Sequence, residues 1–237
     1  DYDLGDAQLI ADTGTDDLVS IDQAFIKGGG GDNNLDAGDF TGSVTLVGLD
    51  GNDTLTGGSA DDQLIGRAGD DSLIGGDGDD VLTGLSGSDM LDGGDGNDSL
   101  AGGNNDDTCA GGHGDDSLEG SLGDDELDGG DGADELVGGG GADDLDGGAG
   151  DDQLSGGAGA DVIVGGFGED QLFESGDFDF DLNDDQLVTT DGQTSETDVI
   201  SFVELADLTG GNGNNILDAA DFTGIVTLSG GDGDDAI

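Results

Sequence analysis

The chain has no proline, no tryptophan, one cysteine, one histidine and only two basic residues, Lys27 and Arg67, in 237 positions. Each shortage excludes something. A single cysteine cannot close an internal disulfide, so bridges do not hold this fold together. Two cations stand against 59 acidic residues, for a formal charge of −57, and a surface of that sign repels nucleic acid and anionic lipid. Apolar residues amount to 32% and form no run long enough to span a bilayer, so no membrane insertion is expected. The sequence opens at Asp1 without a Met or an apolar leader, which reads as a mature piece or fragment whose targeting lies elsewhere. Aromatics are 4% and glycines number 54, a composition that would suit a disordered polyelectrolyte.

What is present contradicts that composition, because the acids stand in strict register. Cut into nines from Gly48, the chain reads GLDGNDTLT, GGSADDQLI, GRAGDDSLI, GGDGDDVLT, GLSGSDMLD and onward to GGFGEDQLF, ending at Phe173. That is fourteen consecutive nonapeptides over 126 residues with no insertion or deletion. The first position is always Gly, and the sixth is always Asp: Asp53, Asp62, Asp71, Asp80, Asp89, Asp98, Asp107, Asp116, Asp125, Asp134, Asp143, Asp152, Asp161 and Asp170. The eighth is Leu in twelve units, with Cys109 and Ile163 in the others; the fourth is Gly except at Ala60 and Asn105.

One apolar residue per nine cannot make an amphipathic helix, and glycine at this density costs about 1 kcal/mol per position in one. The x-Leu-x tripeptide at positions seven to nine suits a very short strand with its middle side chain inward. Positions one to six suit a tight turn whose glycines take positive φ. Turn plus strand is half a coil, so two nonapeptides should make one coil of a parallel solenoid. Position two supports the pairing: its departures from Gly (Leu49, Arg67, Leu85, Ser121) all fall in odd-numbered units, as two separate columns of turns would allow.

Stacked at the ~4.8 Å strand spacing, the aspartates repel one another. Lys27 and Arg67 are too few to neutralise them, so metal must supply the charge. Carboxylates and turn carbonyls are hard oxygen donors, the set that suits Ca²⁺ with six to eight ligands; Mg²⁺ demands a stricter octahedron, and one Cys and one His exclude a thiol or imidazole site.

The unit G-G-x-G-x-D-x-Leu-x is similar to the nonapeptide of the RTX (repeats-in-toxin), or hemolysin-type calcium-binding, family. The resemblance runs continuously from Gly48 to Phe173. It implies an all-β, right-handed parallel β-roll (a β-solenoid) with two nonapeptides, about 18 residues, in each coil, and β-rich flanks. It also implies calcium between turns that are two nonapeptides apart. One site would join Asp53 and the carbonyls of Leu49 and Gly51 to Asp71 and the carbonyls of Gly66 and Ala68; the next, in the other column, would join Asp62 to Asp80. Seven turns in each of two columns leave about 12 ions between them. Ala60 and Asn105 keep the carbonyl but put their turn geometry in question. Similar proteins are secreted unfolded through type I systems and fold on meeting extracellular calcium, at affinities of about 10⁻⁴–10⁻³ M.

The flanks repeat each other. Residues 28–47, GGGGDNNLDAGDFTGSVTLV, resemble 210–229, GGNGNNILDAADFTGIVTLS; DYDLGDAQLI (1–10) resembles DFDLNDDQLV (179–188); and GGDGDDAI (230–237) restarts the array. The expected organisation is a flank over 1–47, the array over 48–173, a second flank copy over 174–229 and the start of a following array over 230–237, as in a longer tandem protein. Asn33 and Asn215 replace the sixth-position Asp, so calcium should be weak or absent there. Residues 1–27 and 174–209 are expected to continue or cap the solenoid, with a small binding insertion as the alternative.

Single residues read plainly. Cys109 fills an inward Leu slot, a structural thiol rather than a nucleophile, and His113 lies at a variable turn position as a solvated side chain. Fifth-position residues vary (Asn52, Ser88, Ala133, Glu169), as solvent-facing sites do. No triad or glycosidase pair is indicated, so the chain is not expected to be an enzyme. The expected function is a calcium-binding structural module of a large secreted or cell-surface bacterial protein, a rigid spacer, adhesive or matrix element that partners calcium, further modules of the same protein or calcium-bridged neighbours. The alternatives are a roll attached to a secreted protease, lipase or epimerase whose catalytic domain lies elsewhere, and an ice- or mineral-binding face. Against the last, Asp50 and Asp95 precede the G-N-D turns where a flat Thr row would be needed.

Overall fold

A computed structural model describes residues 2–5, 8–11, 14–17, 22–176, 179–183, 186–190 and 195–237. Among them there is no helix, and the chain winds as a parallel β-solenoid of about 11 turns with roughly 18 residues per coil. Strands alternate between two sheets, one of 15 strands and one of 11. Within the array each strand pairs in parallel with the strand one full coil further on, as in Leu82↔Leu100 of one sheet and Leu73↔Leu91 of the other. Among the described residues of the array, no pairing joins neighbouring nonapeptides.

The strands are longer than the x-Leu-x reading suggests. Gln63–Ala68, Ser72–Asp77 and Val81–Ser86 each take positions seven to nine of one unit and one to three of the next. The turn is left with positions four to six. The ladder breaks only at the first-position glycine, where Thr83↔Ala101 is followed by Leu85↔Gly103. Beyond it the second residue of every unit but that of Gly58 adopts positive φ, whether Gly or one of Leu49, Arg67, Leu85 and Ser121. That bend turns the strand end toward the next corner, and it explains why Gly dominates a position lying inside a strand. Asn105, in doubt from sequence, takes φ 77 as its glycine counterparts do, a conformation Asn tolerates. Ala60 is not among the positive-φ residues.

Eighth-position side chains stack along the axis. Leu64, Leu82, Leu100, Leu118, Leu136, Leu154 and Leu172 face Leu55, Leu73, Leu91, Cys109, Leu127, Leu145 and Ile163, every one at most 1% exposed. Leu35, Phe40 and Leu46 extend this core at one end, and Ile200, Ala206, Leu208 and Leu217 at the other.

Both flanks continue the two sheets with an antiparallel three-stranded meander set into one of them. Tyr2–Gly5, Gln8–Ala11 and Gly14–Asp17 form the first meander, joined to the roll by Tyr2↔Leu35. Asp179–Asn183, Gln186–Thr190 and Ser195–Ser201 form the second, pairing backward through Val162↔Val199 and forward through Phe180↔Leu217. In the other sheet Gln171–Gly176 pairs directly with Leu205–Gly210. The second meander thus widens one sheet and leaves the other uninterrupted.

Because the core is one side chain per half-coil, removing one is felt directly. Leu118→Ala should lower the stability of the folded chain by about 2–5 kcal/mol, read as a reduced denaturant midpoint. Ser117→Ala, on the exposed face of the same strand, should stay within about 0.5 kcal/mol.

Candidate metal centre

The sixth-position aspartates form two columns, one along each edge of the roll, and all are buried at 4% exposure or less. Burial of an acid with so few cations nearby needs a reason. Half of it is a hydrogen-bond ladder. The N–H of Asp53 donates to Oδ1 of Asp71 at 2.7 Å, that of Asp71 to Asp89 at 2.8 Å, and so on up the column to Asp143 and Asp161. In the other column Val44 donates to Asp62, Asp62 to Asp80 and, further along, Asp152 to Asp170. Each carboxylate therefore clips its own turn to the main chain of the turn one coil earlier.

The second oxygen is left over. Oδ2 of every sixth-position aspartate except Asp62 is buried without a hydrogen-bond partner; Asp62 Oδ2 accepts from Gly58 N–H at 2.6 Å. Thirteen such atoms in one small molecule exceed what a folded protein tolerates, since an unsatisfied buried polar group costs about 1–3 kcal/mol and a charged one more. They share one setting. A Cβ placed on Gly93 would stand against Asp98 Oδ2 and 2.7 Å from the carbonyl oxygen of Gly111, one coil on. The same pair of oxygens surrounds the first-position glycines Gly48, Gly75, Gly120 and Gly138. Glycine leaves that point open, with a carboxylate oxygen and a carbonyl oxygen both turned to it. Carbonyls of the lower turn face the upper one as well: Gly51 O lies against Gly69 and Leu85 O against Gly103. Ala68 O, from the upper turn, points down and accepts the Gly51 N–H at 2.9 Å.

The electrostatics follow from this packing. Loss of water pushes Asp80, Asp107 and Asp116 up to about 7 and Asp71, Asp143 and Asp152 to about 6; the donated main-chain N–H lowers each, and neighbouring aspartates of the same column raise it again. Among the described residues no cluster of three or more His, Cys, Asp or Glu side chains converges. A cation held between the turns would therefore rest on aspartates of two turns and complete its shell with carbonyls, hard donors throughout. The residues present fit a calcium ion.

Three features were not legible in the sequence. The fifth-position side chains are exposed, yet they form a second ladder: Asp70 N–H donates to Asn52 Oδ1 at 3.0 Å, Asn97 N–H to Asp79 Oδ1 at 2.9 Å and Ala133 N–H to Asp115 Oδ1 at 2.9 Å. The frequent Asp and Asn there were the available signal. At the end of the array, Asp198 accepts from Asp161 N–H and Glu204 from Asp170 N–H, each at 3.1 Å, so the flank supplies the last rung of both columns. Glu174, buried, accepts from Ser155 Oγ at 3.1 Å and Gly157 N–H at 3.2 Å, and burial raises it to about 7.

The remaining candidates fall where expected or outside the columns. Cys109 is 1% exposed with its thiol pushed up to about 12 by burial, which removes nucleophilic character. His113 Nδ1 lies 3.0 Å from Asp131 Oδ2 on the surface, bordering a trough of about 600 Å³ floored by Gly112, Gly130, Gly148 and Gly166. Asn33 donates its N–H to Asp53 Oδ1 at 2.7 Å, while its side chain accepts from Gly29 N–H.

A glycine-cornered parallel solenoid with two columns of half-satisfied aspartates is, by class, a metal-binding repeat roll. The chain belongs to the RTX calcium-binding nonapeptide repeat family, whose profile matches residues 45–73, 74–109, 83–118, 110–145 and 137–172. RTX repeats bind calcium. No curated protein matches the chain.

The raised aspartates set a pH dependence for the calcium-free chain. Their folded pKa values exceed the ordinary 3.8, so the folded state binds protons more readily than the unfolded one. The stability this gives is complete below about 3.8 and lost as pH rises through about 6 to 7. In metal-free buffer, circular dichroism should therefore show more β structure at pH 5 than at pH 8. The reverse order would show that these carboxyls are not buried as described.

Proposed function

We propose that this chain is a calcium-gated structural module of a secreted or cell-surface repeat protein, a rod whose rigidity depends on the ion. The buried, unpartnered Asp Oδ2 atoms carry this reading. Calcium between the coils supplies positive charge where two carboxylates and several carbonyl dipoles meet, and it links turns that otherwise repel. In the odd column one site takes Asp53 and the carbonyls of Leu49 and Gly51 from the lower turn, with Asp71 and the carbonyls of Gly66 and Ala68 from the upper. The same set recurs up both columns, from Asp53 to Asp161 and from Asp62 to Asp170, for about 12 ions. Asp198 and Glu204 extend each column by one further carboxylate. Asn33 offers a neutral oxygen already engaged by its own turn and makes a weaker site.

Secretion follows from the same chemistry. At cytosolic calcium the sites do not fill, carboxylate repulsion keeps the chain expanded, and it travels in that form. Outside, millimolar calcium couples binding to folding. The roll itself carries no catalytic domain, and it serves as spacer, adhesive or matrix element.

Two measurements test this. At pH 7.5 in EGTA the chain should lack ordered β structure, then gain it cooperatively on calcium titration; native-like circular dichroism in chelator would overturn the reading. Gly93→Ala puts a methyl group between Asp98 Oδ2 and Gly111 O, so it should cost one bound ion by calorimetry and lower the thermal midpoint. Gly140→Ala, whose Cβ would meet nothing closer than 3.7 Å, should match the unaltered chain in both.

A further inference from the structure

One pole of the roll ends in two strand edges, Gly14–Asp17 in one sheet and Gln23–Lys27 in the other, and among the described residues neither has an outer neighbour. The same pair of edges recurs inside the chain, where it is covered. Ser195–Ser201 and Leu205–Gly210 are the third strand of the second meander and the strand after it. They pair in parallel with the last coil of the array, through Val162↔Val199 and Gln171↔Leu205.

The two settings correspond element by element. Leu9 pairs with Asp16 in the first meander as Leu187 pairs with Asp198 in the second. Gln23 pairs with Ser43 as Leu205 pairs with Ile225. A Cβ on Gly42 would meet the Asp22 carbonyl, as one on Gly224 would meet that of Glu204. The register therefore sets Asp16 and Asp22 in the places of Asp198 and Glu204, the two acids that accept the last free N–H groups of the array. The pole is also less covered than its counterpart: Ala24 is half-buried where Ala206 is 3% exposed. Unpaired edges beside an inward alanine are the surface that another chain segment covers.

We propose that this pole is the seat for the last coil of a second copy of the module, with Asp16 and Asp22 taking the terminal rungs of its two aspartate columns. Successive rolls then share both sheets, both columns and one axis. The assembly is a single unjointed rod with a meander marking each boundary, and it needs no linker. This goes beyond calcium binding and fails separately from it.

The test transplants the first flank. In a chimera, residues 179–229 are replaced by 1–47, so that residue 178 is followed by Asp1 as it natively is by Asp179. At saturating calcium, amide hydrogen exchange at Asp161 and Asp170 should stay as slow as in the unaltered chain. Asp16→Ala with Asp22→Ala in the transplanted copy should speed those two amides by at least about tenfold and leave Asp134, deep in the loaded roll, unchanged. Fast exchange at Asp161 and Asp170 in the chimera while Asp134 stays protected would overturn the proposal, and so would a chimera that does not fold. An independent measurement places residues 1–178 directly ahead of the complete chain. Small-angle scattering should then show one straight rod, and two rods at variable angle would contradict a shared axis.

Discussion

Everything in this molecule depends on the carboxylate at the sixth position of each turn. One of its oxygens serves as a main-chain hydrogen-bond acceptor, clipping successive turns at 2.7–3.0 Å. The other, in every unit but that of Asp62, is buried with nothing of the protein's own to meet it. Adjacent acids in a column repel by about 1 kcal/mol in water and about 4 kcal/mol at the effective dielectric of a protein surface. A chain with two basic residues cannot offset that internally. The charge that offsets it has to come from outside the chain, and the calcium that RTX repeats bind carries the right sign.

Glycine makes that possible in two separate ways. At the first position it keeps open the space between Oδ2 and the carbonyl of the next coil, a steric requirement. At the second it allows the positive φ that bends the strand end, a conformational requirement that Leu49, Arg67, Leu85 and Ser121 also meet, with strain of roughly 1–2 kcal/mol each. The first position admits no residue but glycine across fourteen units and the second admits another residue four times, which is the order of severity the geometry implies. The remaining stability comes from a core one side chain wide.

Much of this was legible in the sequence because a repeat displays its rules many times over. The inward Leu, the coil of two nonapeptides and the two turn columns followed from spacing and parity alone. Strand length did not, since glycines at positions one and two read as turn when they are the bent ends of strands. The fifth-position ladder was hidden because exposure and hydrogen bonding coexist there: Asp70 and Asp115 face solvent while each accepts a neighbour's N–H. Asp198 and Glu204 were hidden for a different reason. They lie 37 and 34 residues from the amides they serve, outside any nonapeptide register, and only the meander's path brings them to the ends of the columns.

Whether cations complete the orphaned carboxylates is decided by a crystal structure grown in calcium, with anomalous scattering data. Ion peaks should stand between turns one coil apart in both columns, each within coordination distance of an Asp Oδ2 and the first-position carbonyl of the next coil. An ordered roll whose Oδ2 atoms meet only water or protein would contradict it.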